Sequence, residues 1–353
     1  MKHSKITPKR VLLIISCVFL SLILAILLFA VVYVESMLNL INRKDPAVPE
    51  SSLSSSEIED ILNQTDETDP DYTGPYLNGE DITWVPDVET PVESNDEIIN
   101  ILLIGKDRRP GETYSRSDAM ILCTINMSAK TLTLSSFMRD TYVQIPGYRD
   151  NRINASFAIG GMNLLDKTIE KNFGVQIDGN IDVDFVGFKK IIDKLGGVEV
   201  ELTGAEASYL NQRGNWDFED NAGTWNLKAG RNTLNGSQAL AYSRIRNVGN
   251  GDFGRTNRQR VVLNALMNKV KNMSLPELNN LLKEFLPLIT TDLSDSEILG
   301  YAATILPILS ELTVTTQQIP AEETYKMTMI DGMSVLLPDL EKNREILAGI
   351  MNK

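Results

Sequence analysis

The chain has 353 residues, with 34 Lys and Arg against 47 Asp and Glu, one His and two Cys, for a formal charge of −13. Its single His is His3, outside any segment able to fold, so neither a Ser-His-Asp triad nor a His-ligated zinc site can be built. Cys17 sits in an apolar run and Cys123 in a strand-like segment, which leaves no disulfide framework. A negative net charge argues against polyanionic partners, unless that charge is unevenly placed.

It is uneven. Residues 1–44 carry Lys2, Lys5, Lys9, Arg10, Arg43 and Lys44 against Glu35 alone, a net of +5. Residues 45–97 hold 16 acidic residues and no Lys or Arg, a net of −16, and residues 98–353 come to −2. Val11 to Val34 is a run of 24 uncharged residues, and a helix of that length spans about 36 Å, enough for a hydrocarbon core of about 30 Å. The basic flank before it predicts an uncleaved signal-anchor over 11–34, with residues 1–10 cytoplasmic and everything after the span outside the cell membrane. Between anchor and domain, residues 35–97 read as an acidic disordered stalk, rich in Ser, Asp, Glu and Thr.

Residues 98–353 form one α/β domain by pattern. Ile98–Ile104 is a buried-type strand ended by Gly105, and Ala119–Met127 and Thr131–Phe137 read as a strand pair. Helical spacing covers Asn154–Phe173 and Asp184–Leu195, then Gly196-Gly197 breaks the chain before the alternating strand Val198–Leu202. An apolar helical run follows at Val261–Val270, with further helices predicted at Leu275–Leu288, Ser296–Leu309 and Asp339–Met351, and a strand near Leu312–Ile319. This alternation suggests a layered sheet covered by helices.

Arginine is the informative residue. Of 14 Arg in this domain, 11 fall in two blocks. Block one holds Arg108, Arg109, Arg116, Arg139, Arg149 and Arg152; block two holds Arg244, Arg246, Arg255, Arg258 and Arg260. The guanidinium fork suits phosphate oxygens. In block two a Gly-rich loop (Gly249 to Gly254) leads into a helix whose first turn is expected to present Arg255, Arg258 and Gln259 on one face, where amides and helix dipole also attract anions. In block one Asp107 and Asp118 lie at strand ends beside Arg116 and Arg139. Two such carboxylates suit Mg²⁺ bridging a pyrophosphate, and equally suit plain salt bridges to the arginines. No Walker A pattern is present.

Taken in order, these motifs resemble the LytR-CpsA-Psr family. The residues concerned are Gly105-x-Asp107, Arg116-Ser117-Asp118, Arg139-Asp140-Thr141-Tyr142-Val143, Ile153-Asn154-Ala155, Gly196-Gly197-Val198, Gln238 through Arg246, and Asp252-x-x-Arg255-x-x-Arg258-Gln259, across roughly 98–273. Ser136-Phe137-Met138 departs from the Ile-Pro that many members place before Arg139. The resemblance implies an α-β-α sandwich with a central mixed sheet, preceded by one transmembrane helix, and a Gram-positive-type envelope enzyme. Such an enzyme moves an anionic glycopolymer (wall teichoic acid or capsular polysaccharide) from an undecaprenyl-pyrophosphate carrier to peptidoglycan through a phosphodiester. It also implies Mg²⁺, or Mn²⁺ in its place, at Asp107 and Asp118, with a pyrophosphatase side activity. Asp107, Arg116, Arg139, Arg244 and Arg255 then fall on catalytic positions, and Arg152, Arg246, Arg258 and Gln259 on pyrophosphate-binding ones. With no His in the domain, a carboxylate must be any general base, and Asp107 is the first choice. Phe157, Phe185 and Phe188 are candidates for a lipid pocket, or plain core. The alternative is a non-catalytic membrane-anchored regulator or polymer-binding scaffold; nucleic acid is not an expected partner, since no basic stripe or helix-turn-helix is present.

Overall fold

The computed structural model describes residues 29–44, 53–65, 74–86, 97–106, 117–212 and 225–352. Helical residues 29–38 (α1) lead through buried Ile41 to β1 (Asn42–Arg43). Then come α2 (Ser55–Leu62), β2 (Tyr76–Leu77), β3 (Ile98–Lys106), β4 (Ser117–Asn126) and β5 (Thr131–Phe137). The short β6 (Tyr142–Val143) and β7 (Asn151–Arg152) precede α3 (Ile153–Phe173), β8 (Gly179–Asp184) and α4 (Phe185–Lys194). The middle of the chain supplies β9 (Val198–Leu202), α5 (Gly204–Leu210), β10 (Gly230–Leu234), α6 (Gly236–Arg244) and α7 (Gly251–Lys271). It closes with α8 (Leu275–Phe285), β11 (Ile289–Thr291), α9 (Asp295–Ile305), β12 (Thr313–Ile319), β13 (Tyr325–Ile330), β14 (Met333–Pro338) and α10 (Leu340–Met351).

A seven-stranded mixed sheet runs in the order β1-β11-β8-β3-β4-β5-β12, with β3 antiparallel to β4 and parallel to β8. Pleating sends alternate residues of β3 and β4 to opposite faces. Leu102, Ile104, Met120 and Leu122 pack with α3, α10 and α2, while Ile99, Ile101, Ile121 and Ile125 pack toward α7 and α9. Both faces are covered, which is why Ile98–Ile104 reads as a continuous apolar run. The expected layered α/β architecture with a mixed sheet is therefore present. A third cluster joins β9 and β10 to α6 and α7 through Val198, Val200, Leu234, Tyr242 and Val262.

Three expectations change. The helix expected over Asn154–Phe173 is interrupted at Gly160-Gly161, where Gly161 takes φ 62° and ψ −148°, a conformation that needs glycine. The acidic segment is not one continuous disordered stalk. Within it α2, started by a Ser54/Glu57 capping box, buries Ile61 and Leu62 in the main core; β2 pairs with β13; and Trp84 donates to Asp150 Oδ2 at 2.7 Å while stacking on Tyr142. Mean composition hid these few apolar residues among the carboxylates. Finally, β1 joins the sheet beside β11, so the chain enters the domain at residue 42 rather than after a long tether. No helix among the described residues is long and apolar enough to cross a membrane. Residues 1–28, which carry the cytoplasmic-tail expectation and most of the expected span, lie outside the described residues.

Candidate active site

A cavity of about 1100 Å³ opens between the sheet, α4, α6 and α7. One end is apolar, lined by Ile121, Ile181, Phe188, Val262, Leu266 and Phe285. The other end is polar and collects Asp118, Arg139, Arg152, Arg244, Arg246, Arg255 and Gln259 from separate parts of the sequence. Asp118 starts β4, Arg139 follows β5, Arg246 follows α6, and Arg255 stands in the second turn of α7.

The polar end is an interleaved charge cluster. Arg139 Nη1 donates to Asp118 Oδ1 at 3.2 Å, with Asp140 and Asp252 also in ion contact. Arg255 Nη2 lies 2.9 Å from Asp252 Oδ1, and its Nη1 lies 3.6 Å from Asp118 Oδ1. Arg246 reaches both aspartates at 3.8 to 3.9 Å and is the most exposed of the three. The Arg255 side chain is only 2% exposed, yet its Nε and Nη1 donate no hydrogen bond. Buried polar groups are ordinarily satisfied, so two idle guanidinium donors at a cavity wall mark a place for acceptor oxygens.

Electrostatics point the same way. Burial, with Arg139 adding to it, pulls the Arg255 guanidinium down to about 10. Arg246 is lowered by the same two causes. Around Arg139, burial is outweighed by Asp140, Asp252 and Asp118, which raise it. Burial raises Asp252 despite its Arg neighbours. The arginines thus crowd one another in a partly dry site, and an anion would relieve that crowding.

Other expected site residues are placed differently. Arg258 does not face the cavity. Its Nε donates to Glu206 Oε1 at 2.7 Å, and Nη1 and Nη2 donate to the Ile245 and Val248 carbonyls, so it clamps the 245–248 linker against α5. α7 begins at Gly251, four residues earlier than expected, so the Gly-rich segment is its first turn, and it is the neighbouring Glu206 and the 245–248 carbonyls that draw Arg258 away from the cavity. Arg255 and Gln259, four apart, share the cavity side, and Arg258 rotates off it. Arg152 lines the cavity but gives Nε and Nη2 to the Ser334 carbonyl, tying it to β14. Arg244 lies 4.4 Å from the Phe185 ring centroid, a cation–π contact where the polar and apolar ends meet. Phe185 and Phe188 line the cavity, whereas Phe157 belongs to the core on the opposite face of the sheet. The departure before Arg139 is absorbed by packing: Met138 is buried and its amide donates to the Ile319 carbonyl at 2.7 Å. Asp107 and Arg116 lie outside the described residues.

Two members of the cluster were not singled out from sequence as site residues, Asp140 and Asp252. The i, i+3 pairing of Asp252 with Arg255 was the available signal. Among the described residues no group of three or more His, Cys, Asp or Glu is placed to hold a metal ion.

Known proteins supply the context. The regulatory protein MsrR of Staphylococcus aureus is 32% identical over 265 residues, covering 73% of this chain and 76% of its own. A polyisoprenyl-teichoic acid–peptidoglycan teichoic acid transferase, TagU of Bacillus licheniformis, is 38% identical over 182 residues, covering 51% and 55% of the two chains. TagT bound to LIIa-WTA superposes with a TM-score of 0.60 at 26% identity, covering 75% of this chain and 97% of TagT. The same protein has been solved with bound octaprenyl pyrophosphate lipid, with a TM-score of 0.57 at 25% identity and coverages of 75% and 98%. The LytR_cpsA_psr family model matches residues 56–350, which includes α2 and nearly all of the folded chain, and the chain therefore belongs to the LytR-CpsA-Psr family.

Proposed function

We propose that this protein transfers an anionic glycopolymer from a polyprenyl-pyrophosphate carrier to peptidoglycan, forming a phosphodiester and releasing the prenyl phosphate. One observation carries the reading: a single cavity has a long apolar part at one end and, at the other, a buried Arg255 with two donors to spare. A prenyl pyrophosphate has that polarity. TagU is named for such a transfer, and TagT binds the corresponding lipid and polymer. The polymer is of the wall teichoic acid or capsular type, the carrier chain undecaprenyl, and the protein a single-pass envelope protein with its domain outside the cell.

In the reaction an acceptor hydroxyl of the glycan attacks the sugar-proximal phosphorus, its O–P bond forms, and the bridging P–O bond to the lipid phosphate breaks. The acceptor proton passes to a carboxylate, for which Asp107 is assigned. Arg255, Arg139 and Arg246 hold the phosphoryl oxygens and offset their growing charge in a site with little water. Arg244 orients the pyrophosphate at the junction with the apolar part, and Arg152, beside Asp140, adds positive charge at the polar end. Asp118 offers a hard carboxylate oxygen at the cavity, and with Asp107 it would hold Mg²⁺ or Mn²⁺. Such an ion would supply further charge neutralisation at the phosphoryl oxygens. A slow pyrophosphatase reaction, water replacing the sugar hydroxyl, follows from the same groups.

The test uses purified protein, Mg²⁺ and a prenyl-pyrophosphate glycan with a peptidoglycan acceptor, following release of prenyl phosphate and transfer of label. Wild type should turn over, while Arg255→Ala should bind the carrier weakly and Asp107→Ala should lose transfer. Tight binding with no turnover by wild type would instead support a polymer-binding scaffold.

A further inference from the structure

α8, 11 residues long, contains no fully buried side chain, and α9 turns Ile298, Tyr301 and Ile305 to the sheet core but leaves Leu299 outside. A helix of a globular domain ordinarily buries its apolar stripe. Here Leu275, Leu299 and Leu306 are exposed at 74, 43 and 46%, and Leu278, Leu281, Leu282 and Phe285 are only half-buried. This surface lies where the chain enters the domain. α1 continues the apolar run Val11–Val34 and exposes Phe29, Val31 and Val32. Its half-buried Tyr33 donates from Oη to Asn279 Oδ1 of α8 at 2.6 Å, and Lys283 Nζ lies 5.3 Å from the Tyr33 ring centroid. A few residues later Asn42 Nδ2 donates to the Pro287 and Ile289 carbonyls, and Arg43 pairs with Asp295 at the start of α9.

The elements that grip this entry segment are also walls of the cavity. Phe285 of α8 and Ile289 of β11 both line it. We propose that α8 and α9 together with α1 form a face that rests on the lipid bilayer, and that the α8–β11 wall is the portal by which the carrier's prenyl tail passes between bilayer and cavity. The proposal rests on the membrane-anchor and prenyl-pocket readings above. A span ending at Val34 leaves only seven residues, about two helical turns, before β1, so the α8 side of the domain must lie near the membrane surface. Tyr33 and Lys283 are residue types suited to that interface. The face carries Glu35, Glu277, Glu284, Asp295 and Glu297 against Lys283, with Arg43 paired to Asp295, so it has no net positive charge and its contact does not need anionic lipid.

The full chain, with Cys17 and Cys123 changed to Ala, is placed in phosphatidylcholine nanodiscs with single nitroxide labels at Leu20→Cys, Leu275→Cys or Met327→Cys. Collision with oxygen against a water-soluble nickel chelate is then measured. Leu20 and Leu275 should both favour oxygen, and Met327, exposed on β13, should favour the chelate. If Leu20 lies in lipid while Leu275 behaves like Met327, the portal proposal falls and the anchor stands. If Leu20 also favours the chelate, the anchor reading itself fails. Protection of Leu275 with spin coupling between chains would mark a second copy of the chain on this face and overturn the proposal. In the same discs, Tyr33→Phe/Asn42→Ala should slow transfer from embedded long-chain carrier about fivefold or more, the equilibrium shift expected from losing even one such hydrogen bond, while sparing a water-soluble short-prenyl carrier. Equal slowing with both carriers, or with neither, would refute the portal.

Discussion

Arg258 gives the sharpest test, because sequence pattern and structure assign it opposite roles. By spacing it belongs with Arg255 and Gln259 on a phosphate-binding face; in the fold it is a clamp with a buried carboxylate and two linker carbonyls as partners. Arg258→Met removes all three interactions. Stripping one partner from a buried ion pair costs about 3–5 kcal/mol. Glu206 keeps its bonds from the Thr203 amide and hydroxyl, both at 2.9 Å, so the lower end applies to the carboxylate. Two carbonyls losing their donors add about 1 kcal/mol each, for a total of about 4–5 kcal/mol. At about 2–4 °C per kcal/mol for a domain of this class, Tm should fall by about 8–20 °C. Urea denaturation and calorimetry on Arg258→Met, Glu206→Gln and the double variant would measure this, with a double-variant coupling of about 1–3 kcal/mol expected. Prenyl-pyrophosphate binding, measured well below the lowered Tm, should stay close to wild type. A variant that keeps its stability but loses carrier binding would show that Arg258 touches substrate and that the clamp is incidental.

The same carboxylate sets an acid limit. Burial pushes Glu206 up from its ordinary 4.5, but the Thr203 and Arg258 hydrogen bonds outweigh burial and hold it below that value. A carboxyl lowered on folding contributes stability that is complete above its unfolded value and is lost as pH falls through the folded one. Wild type should therefore lose stability more steeply than Glu206→Gln below about pH 4.5 in chemical denaturation; parallel acid limbs would refute the assignment. Leu266→Trp should fill part of the apolar end of the cavity and weaken binding of a long prenyl pyrophosphate while sparing a short one, as titration calorimetry with two chain lengths would show. An equal effect on both would place the prenyl chain elsewhere. Ile61→Ala in α2 should cost about 2–5 kcal/mol, since Ile61 is fully buried in the main core, and a denaturation curve superposing on wild type would return this segment to the status of a free stalk.

β3, β4, β5 and β9 were legible because they carry their burial pattern locally, as in the two-sided apolar run of β3 and the strict alternation of Val198–Leu202, whereas β8 in the middle of the main sheet was not. The arginine set was legible because phosphate chemistry concentrates one residue type. What pattern could not supply was direction. Arg255 and Arg258 are three apart on one helix, and their tertiary partners, Asp118 for the first and Glu206 for the second, decide which meets the cavity whatever the start of α7. Asp252 looked like a turn residue until that start made it a neighbour of Arg255 and Arg139. α2 was missed for another reason: it carries few apolar residues and its burial depends on α3 far along the chain, while the β13–β14 hairpin, apolar over much of its length, is fixed by distant partners in β2 and Thr141.

The pairing of β1 with β11 also governs the order in which this chain can fold. The sheet's first edge strand leaves the ribosome early, yet its hydrogen-bonding partner follows about 250 residues later. β12 and α10, which cover the opposite edge and one face, come later still. Contacts this distant slow folding and lengthen the time that partly buried strands stay open to wrong partners. Completion of the sheet is thus a late, post-synthetic event, and a chain truncated before Ile289 would leave β1 and β8 without the strand that lies between them.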